Sequence, residues 1–254
     1  MSTRSPEIAA TAAATEPPAN FDRVARIYRG AEYLALGPFL RLTRELHLSR
    51  ISGAKQALVL GDGDGRFTAE LLARAPNVHV RAVDTSAGML RVLRQRCERR
   101  GTGSRLSVEQ ASALEAIADR GTDLVVSHFF LDCLTQSEVD RLALRIAAQV
   151  SPGCLWVVSD FGLPRNPVAK PLAAAYIRGL YLAFRVLTGL HTQALPDPQA
   201  SLGAAGFRLL ARGEHLGGFL YSELWQLGPK EEYKRDSEDA RSATSPVAQT
   251  STCR

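Results

Sequence analysis

Glycine stands at every second position of Leu60-Gly61-Asp62-Gly63-Asp64-Gly65-Arg66, with the apolar run Ala57-Leu58-Val59-Leu60 leading in and Phe67, Leu71 and Leu72 at helical spacing behind. That order predicts a strand, a tight turn and a helix. Glycine enters positive φ without a Cβ penalty and lets main-chain N–H groups come close to a ligand at a helix N-terminus. The turn is therefore built to hold something small, and the rest of the chain has to be an α/β fold arranged around it.

Spacing separates the ligands such a turn can serve. A dinucleotide fingerprint needs GxGxxG, but Arg66 occupies the third glycine position and a glycine comes one residue early, at Gly65. A calcium loop needs an acid at its fifth position and a glutamate at its twelfth, where this chain has Arg66 and Ala73. Downstream, Val78-His79-Val80-Arg81-Ala82-Val83 alternates like a strand and ends at Asp84. A carboxylate at that strand tip can accept hydrogen bonds from both ribose hydroxyls of a nucleoside.

At these residues the chain resembles the class I S-adenosylmethionine-dependent methyltransferases. Their first motif is similar to Leu60-Gly61-Asp62-Gly63-Asp64-Gly65, and their acidic strand end to Val83-Asp84-Thr85-Ser86 followed by Met89, which in the family often packs on adenine. Asp62 departs from the small residue commonest there. The resemblance runs from about Asn20 to Leu227. It implies a Rossmann-like, doubly wound seven-stranded sheet with an antiparallel last strand, a helical N-terminal cap and a helical insert before the final β-ribbon. It also implies S-adenosyl-L-methionine as cofactor, held by Tyr28, Gly61, Asp62, Gly63, Gly65, Asp84, Thr85, Met89, Ser112 and Ser127. Ser112 stands near the place where family members usually have an adenine-binding aspartate. The phrase Asn20-Phe21-Asp22-Arg23-Val24-Ala25-Arg26-Ile27-Tyr28 is similar to the opening of quinone-pathway methyltransferases, whose first helix lies over the cofactor; packing of Phe21 and Tyr28 on the sheet is the plainer alternative.

The chain divides into a polar, alanine-rich tail over 1–19, a methyltransferase domain over 20–228 with a helical lid or insert over 160–200, and a charged, Ser/Thr-rich tail over 229–254. No stretch is long and apolar enough to cross a membrane, and residues 1–18 have no apolar core like that of a signal peptide, so a cytoplasmic location is expected. The net charge of +5 comes from interspersed arginines and acids. The densest basic run, Arg91 to Arg100, shares a helix with Leu90, Leu93 and Cys97, which suits a solvated face rather than nucleic acid. The four cysteines, Cys97, Cys133, Cys154 and Cys253, have no paired metal-ligand spacing, so no metal is expected.

Further strands are expected at Arg105–Val108, Thr122–Val126 and Cys154–Val158, then an antiparallel ribbon over Phe207–Arg212 and Phe219–Trp225 joined through Gly217-Gly218. In a doubly wound sheet the crevice opens at the carboxyl ends of the first and fourth strands, so Ser127 to Asp132 should line donor and acceptor. Methyl transfer from a sulfonium is an in-line displacement, so the protein mainly aligns the partners, excludes water and removes a proton where the acceptor is a hydroxyl. His128 and Asp132 are the candidates for that proton, against plainer roles as a satisfied histidine and a helix N-cap. His191 and His215 have no fixed place. Phe129, Phe130, Tyr176 and Tyr181 suggest a small, largely apolar acceptor. The insert's apolar circumference fits either core packing or a lid. Two other functions fit the sequence less well: a non-catalytic S-adenosylmethionine-binding protein and a nicotinamide-dependent oxidoreductase.

Overall fold

In the computed structural model one sheet of seven strands runs in the order β3-β2-β1-β4-β5-β7-β6. The strands are β1 (Gln56–Leu60), β2 (His79–Asp84), β3 (Leu106–Gln110), β4 (Leu124–His128), β5 (Leu155–Phe161), β6 (Phe207–His215) and β7 (Leu220–Leu227). The structure describes residues 36–229 apart from 165, 168–169, 174, 177–178 and 180–194. Tyr28, Tyr181, His191, Cys253, the helix expected from Asn20, the first tail and all but Pro229 of the second lie outside the described residues.

Strands β1 to β5 are parallel, and β7 alone opposes its neighbours, pairing antiparallel with β5 and with β6. Strand β1 pairs β2 on one side and β4 on the other, so the order reverses there. The crevice of an open α/β sheet forms at that reversal.

Six α-helices can be numbered among the described residues: α1 (Gly37–Glu45), α2 (Leu48–Ile51), α3 (Arg66–Arg74), α4 (Ala87–Arg99), α5 (Gln136–Gln149) and α6 (Pro198–Ala204). Pro38 falls in the first turn of α1, where its missing N–H costs nothing. Described residues between 170 and 179 are also helical. On one face Phe67, Leu71 and Leu72 of α3 and Leu93 and Cys97 of α4 close over Val59, Val80, Ala82, Val126 and Val157. On the other, Val139, Leu142 and Ile146 of α5 and Leu202 of α6 close over Leu58, Val125, Trp156, Val158 and Trp225. Strands covered on both faces read as near-continuous apolar runs, as β1 and β4 do.

Strand β5 runs three residues past its expected end, to Phe161, because its ladder with β7 continues through Ser159↔Ser222 and Asp160↔Tyr221 to Phe161↔Leu220. A small third cluster of Leu40, Phe161, Ala173, Phe219 and Leu220 caps that end of the sheet.

Candidate active site

The glycine turn is held by its own main chain. Gly61, Gly63 and Gly65 sit at φ 67°, 58° and 74°, in the left-handed region. The Gly61 N–H donates to Val83 O at 2.9 Å and the Gly65 N–H to Asp62 O at 3.2 Å. A Cβ on Gly61 would stand 2.7 Å from Phe130 Cγ, and one on Gly65 would stand 2.9 Å from the main-chain Cα of Leu93. The cradle is thus closed to side chains at both ends.

Asp62 has a positive reason to be there. Its Oδ2 accepts from the Thr68 N–H at 2.9 Å, satisfying one of the orphan donors of α3. Enclosure of the carboxyl pushes its pKa up to about 6, against the pull of that bond. Asp84, the last residue of β2, accepts from the Gly63 N–H at 3.3 Å and from the Ser86 N–H at 2.9 Å. Burial raises its pKa, and these main-chain donors oppose the rise. Two N–H groups use only part of a carboxylate's acceptor capacity, which leaves lone pairs for ribose hydroxyls. Turn and acid therefore touch, as a nucleoside grip needs. Arg66 and Arg96 hold Asp64 at 3.0 and 2.9 Å, fixing the outer side of the turn.

The remaining residues expected on the donor side have mixed placements. Thr85 is exposed and its carbonyl accepts from Gln110 Nε2. Met89 is half-buried in the first turn of α4, its N–H donating to the Ser86 cap. Ser112 Oγ accepts from the Leu114 N–H in the turn after β3. The Ser127 hydroxyl accepts from Trp156 Nε1 at 3.0 Å inside the core.

Across the crevice the site is made of side chains. Phe129 follows β4 with φ 52°, a strained value for a residue with a Cβ, and its N–H donates to Ser159 O at 2.7 Å. Phe129, Phe161, Phe219 and Tyr176 form a ladder with successive ring centroids 5.2, 5.5 and 5.6 Å apart. The Arg44 guanidinium lies 5.0 Å above the Phe129 ring. Phe130 covers Gly61. Beside the turn, a cavity of about 960 Å³ opens between α1 and α3, with Arg41, Arg44, Glu45, Arg66 and Glu70 in its lining.

The two proton-handling candidates engage different sides of β5. His128 is buried, its Nδ1 2.8 Å from Ser159 Oγ and its ring edge-on to Phe67; burial holds its pKa well below the ordinary value, so it is neutral at pH 7. Its Nε2 is buried with no partner among the described residues. Asp132, on a 3-10 turn over Leu131–Cys133, meets Asp160 of β5. His215 Nδ1 lies 3.0 Å from Thr43 Oγ1, which ties β6 to α1. The sequence pattern gives Arg44 no role at the site, and it gives Phe219 only a place in the antiparallel ribbon. The only available signal for Arg44 was a charge inside a helix spaced by leucines.

Among the described residues no group of three or more His, Cys, Asp or Glu side chains is placed to hold a metal, and no helix is long and apolar enough to cross a membrane.

A reversal of strand order at β1, a glycine turn beneath it, an acid on β2 and an antiparallel β7 define a nucleoside-binding α/β fold of the methyltransferase type. The methyltransferase-domain family matches residues 57–153. A malonyl-[acyl-carrier protein] O-methyltransferase of Methylococcus capsulatus is 30% identical over 221 residues, covering 79% of this chain and 74% of that protein. The chain belongs to the class I S-adenosylmethionine-dependent methyltransferases, and S-adenosylmethionine is its methyl donor. Among solved structures, a mitomycin 7-O-methyltransferase superposes with a TM-score of 0.58 at 21% identity, over 82% of this chain and 60% of that one. Human N-acetylserotonin methyltransferase, solved with S-adenosylmethionine, does so with a TM-score of 0.53 at 17% identity, over 78% and 58%. Likeness at these identities speaks for the fold, and the chain spans about three fifths of the length of these two structures.

Proposed function

We propose that the chain transfers a methyl group to a small, largely apolar acceptor lying against Phe129, Phe130 and Phe161, with the insert over 160–200 as its cover. The observation that carries this reading is the aromatic ladder from Phe129 to Tyr176 at the carboxyl ends of β4 and β5. Stacked rings offer flat apolar area and, edge to face, a preference for another ring. Contact of Tyr176 with Phe219 supports a role for the insert above the acceptor.

In this reading the Gly61–Gly65 turn and Asp84 grip the donor, whose sulfonium supplies an already activated methyl. Asp132 takes the proton where the acceptor is a hydroxyl. His128, neutral and packed on Phe67, orients β4 through Ser159.

A screen of purified protein with radiolabelled S-adenosylmethionine against ring-bearing phenols, apolar acids and polar metabolites tests the proposal. Turnover of apolar, ring-bearing acceptors is expected, with the Phe129→Ala variant raising their KM about tenfold and leaving donor affinity unchanged. Methylation of polar metabolites or proteins alone overturns it. A second reading, in which the acceptor also carries an acid group, is favoured by Arg44 over Phe129 and by the arginines of the neighbouring cavity. The Methylococcus relative, named for a malonyl-carrier substrate, points the same way. The acid arm of the screen separates the two.

A further inference from the structure

Asp132 and Asp160 are both almost fully enclosed, at 5% and 2% exposure, and the main chain of one bonds the carboxyl of the other. The meeting is built by the fold. Strand β4 pairs with β5 up to its own end at His128↔Ser159, while β5 runs on through Asp160. The chain after β4 then swings through the strained Phe129, and the Leu131–Cys133 turn brings the Asp132 N–H onto Asp160. The Asp132 N–H donates to Asp160 Oδ2 at 3.1 Å and the Phe161 N–H donates to Asp160 Oδ1 at 3.0 Å, and the two carboxyls are close enough for each to shift the other's titration.

Two carboxylates this close and this dry do not both ionise. Burial pushes Asp132 up to about 6 and Asp160 well above its ordinary value, so near neutrality the pair holds one proton and one negative charge. Among the described residues, the groups around it do not cancel that charge. Cys133 Sγ lies 3.6 Å from Asp132 Oδ1, with burial and both carboxylates holding it protonated. Tyr221 of β7, paired with Asp160 across the ladder, is held protonated by burial and by Asp160. Glu223 lies two residues further along β7. Arg212 of β6 stacks 4.7 Å over the Tyr221 ring, with its charge directed to Glu214 at 2.9 Å and Glu223 at 2.5 Å. A buried negative charge without a cation costs free energy that a bound cation returns. The pair lies just past the last β4–β5 partners, and Phe130, two residues ahead of Asp132, rests against Gly61 of the glycine turn.

We propose that the Asp132–Asp160 pair supplies the negative charge opposite the donor's sulfonium, so that the site prefers charged S-adenosylmethionine to its neutral thioether product, S-adenosylhomocysteine. The inference rests on the reading above that the Gly61–Gly65 turn and Asp84 hold the donor. Its consequence is product exchange. Methyl transfer removes the cation, and with it the attraction that held the donor.

Calorimetric titration of the full-length protein with S-adenosylmethionine and with S-adenosylhomocysteine, from pH 5 to pH 8, tests this. The two ligands share adenosine, carboxylate and amino group, so the ratio of their affinities isolates the sulfonium. In the wild type the preference for S-adenosylmethionine should grow about tenfold as pH rises and the pair ionises, the size expected of one opposite charge at moderate dielectric. The Asp132→Asn/Asp160→Asn double variant should show a low, flat ratio. Asp160→Asn alone should move the rise to lower pH, because the repelling neighbour is gone. Asp62, the other acid of the crevice raised to about 6, is intact in all variants and cannot produce those differences. A wild-type ratio that does not change with pH, or a double variant that keeps the wild-type profile, overturns the proposal. Failure of the wild type to bind either nucleoside would instead sink the donor-site assignment beneath it. If the double variant is too unstable to bind S-adenosylhomocysteine, the wild-type and Asp160→Asn profiles decide.

Discussion

The half of the sheet carrying β1 to β3 and the half carrying β4, β5 and β7 make their sides of the crevice by opposite means. On the donor side the surface is main chain: three left-handed glycines, with acids that each accept from main-chain N–H groups, Asp62 from Thr68 and Asp84 from Gly63 and Ser86. On the side proposed for the acceptor it is side chain: a ladder of rings and the neighbouring carboxyls of Asp132 and Asp160. Even the strained φ on that side belongs to a phenylalanine. A surface of main chain is intolerant of a Cβ where a neighbour packs on it, as at Gly61 and Gly65, and indifferent to many side-chain changes. A surface of side chains is the reverse, which is how one fold keeps one donor and admits many acceptors.

The sharpest way to break that contrast is Gly65→Ala. A Cβ there combines a left-handed φ with a main-chain neighbour, Leu93 Cα at 2.9 Å, that cannot swing aside. Strain and overpacking together should cost more than about 3 kcal/mol by urea unfolding and remove donor binding. Gly63→Ala is the control, with φ 58° and nothing within 4 Å of the added atom. It should cost only the left-handed strain, about 1–2 kcal/mol. Equal losses in the two variants would mean that the packing of α4 on the turn contributes nothing.

Asp84→Ala comes next. Among the described residues its carboxylate bonds only main-chain N–H groups, and burial already disfavours its charge, so the fold gains little from it. Loss of about 100-fold or more in S-adenosylmethionine affinity is expected, with a melting temperature within a few degrees of wild type. Unchanged affinity would remove the ribose role.

The two halves were also unequally legible in the sequence. Strand, glycines and helix follow one another within a single run, and Asp84 lies one unit on, so local pattern sufficed for the donor side. The acceptor side depends on which strands pair and how far they run. Ser159 and Asp160 look like the end of β5 but continue it, because β7 supplies a ladder. That extension alone brings Asp160 under Asp132. Phe219 reaches Phe161 only through the same antiparallel pairing, and strand parity turns the Ser127 hydroxyl to Trp156 and the His128 ring to Phe67. Asp62 illustrates a subtler gap. Sequence marks it as a departure from the family pattern, whereas its bond to the Thr68 N–H explains why an acid is useful there.

The smallest expected effect tests that explanation through pH. Asp62 has a folded-state pKa of about 6 against an ordinary 3.8, so the folded chain binds this proton more tightly than the unfolded chain. For an acid raised in this way the associated stability is full below about pH 4 and is lost as pH climbs through 6. Asp62→Asn removes the titration and keeps an acceptor oxygen for the Thr68 N–H. The stability of wild type relative to this variant should therefore fall by about 2 kcal/mol between pH 4 and pH 7 in urea titrations, a shift of roughly two pH units discounted for a residue only half-buried. Asp160→Asn should remove a steeper dependence over the same range, because the Asp132 carboxyl opposes ionisation of Asp160 on top of burial, while its two main-chain donors pull the other way. If the Asp62 profile were the steeper of the two, the opposition of paired carboxyls would not be what separates the acids of the two sides, and the contrast between the two halves would lose its electrostatic part.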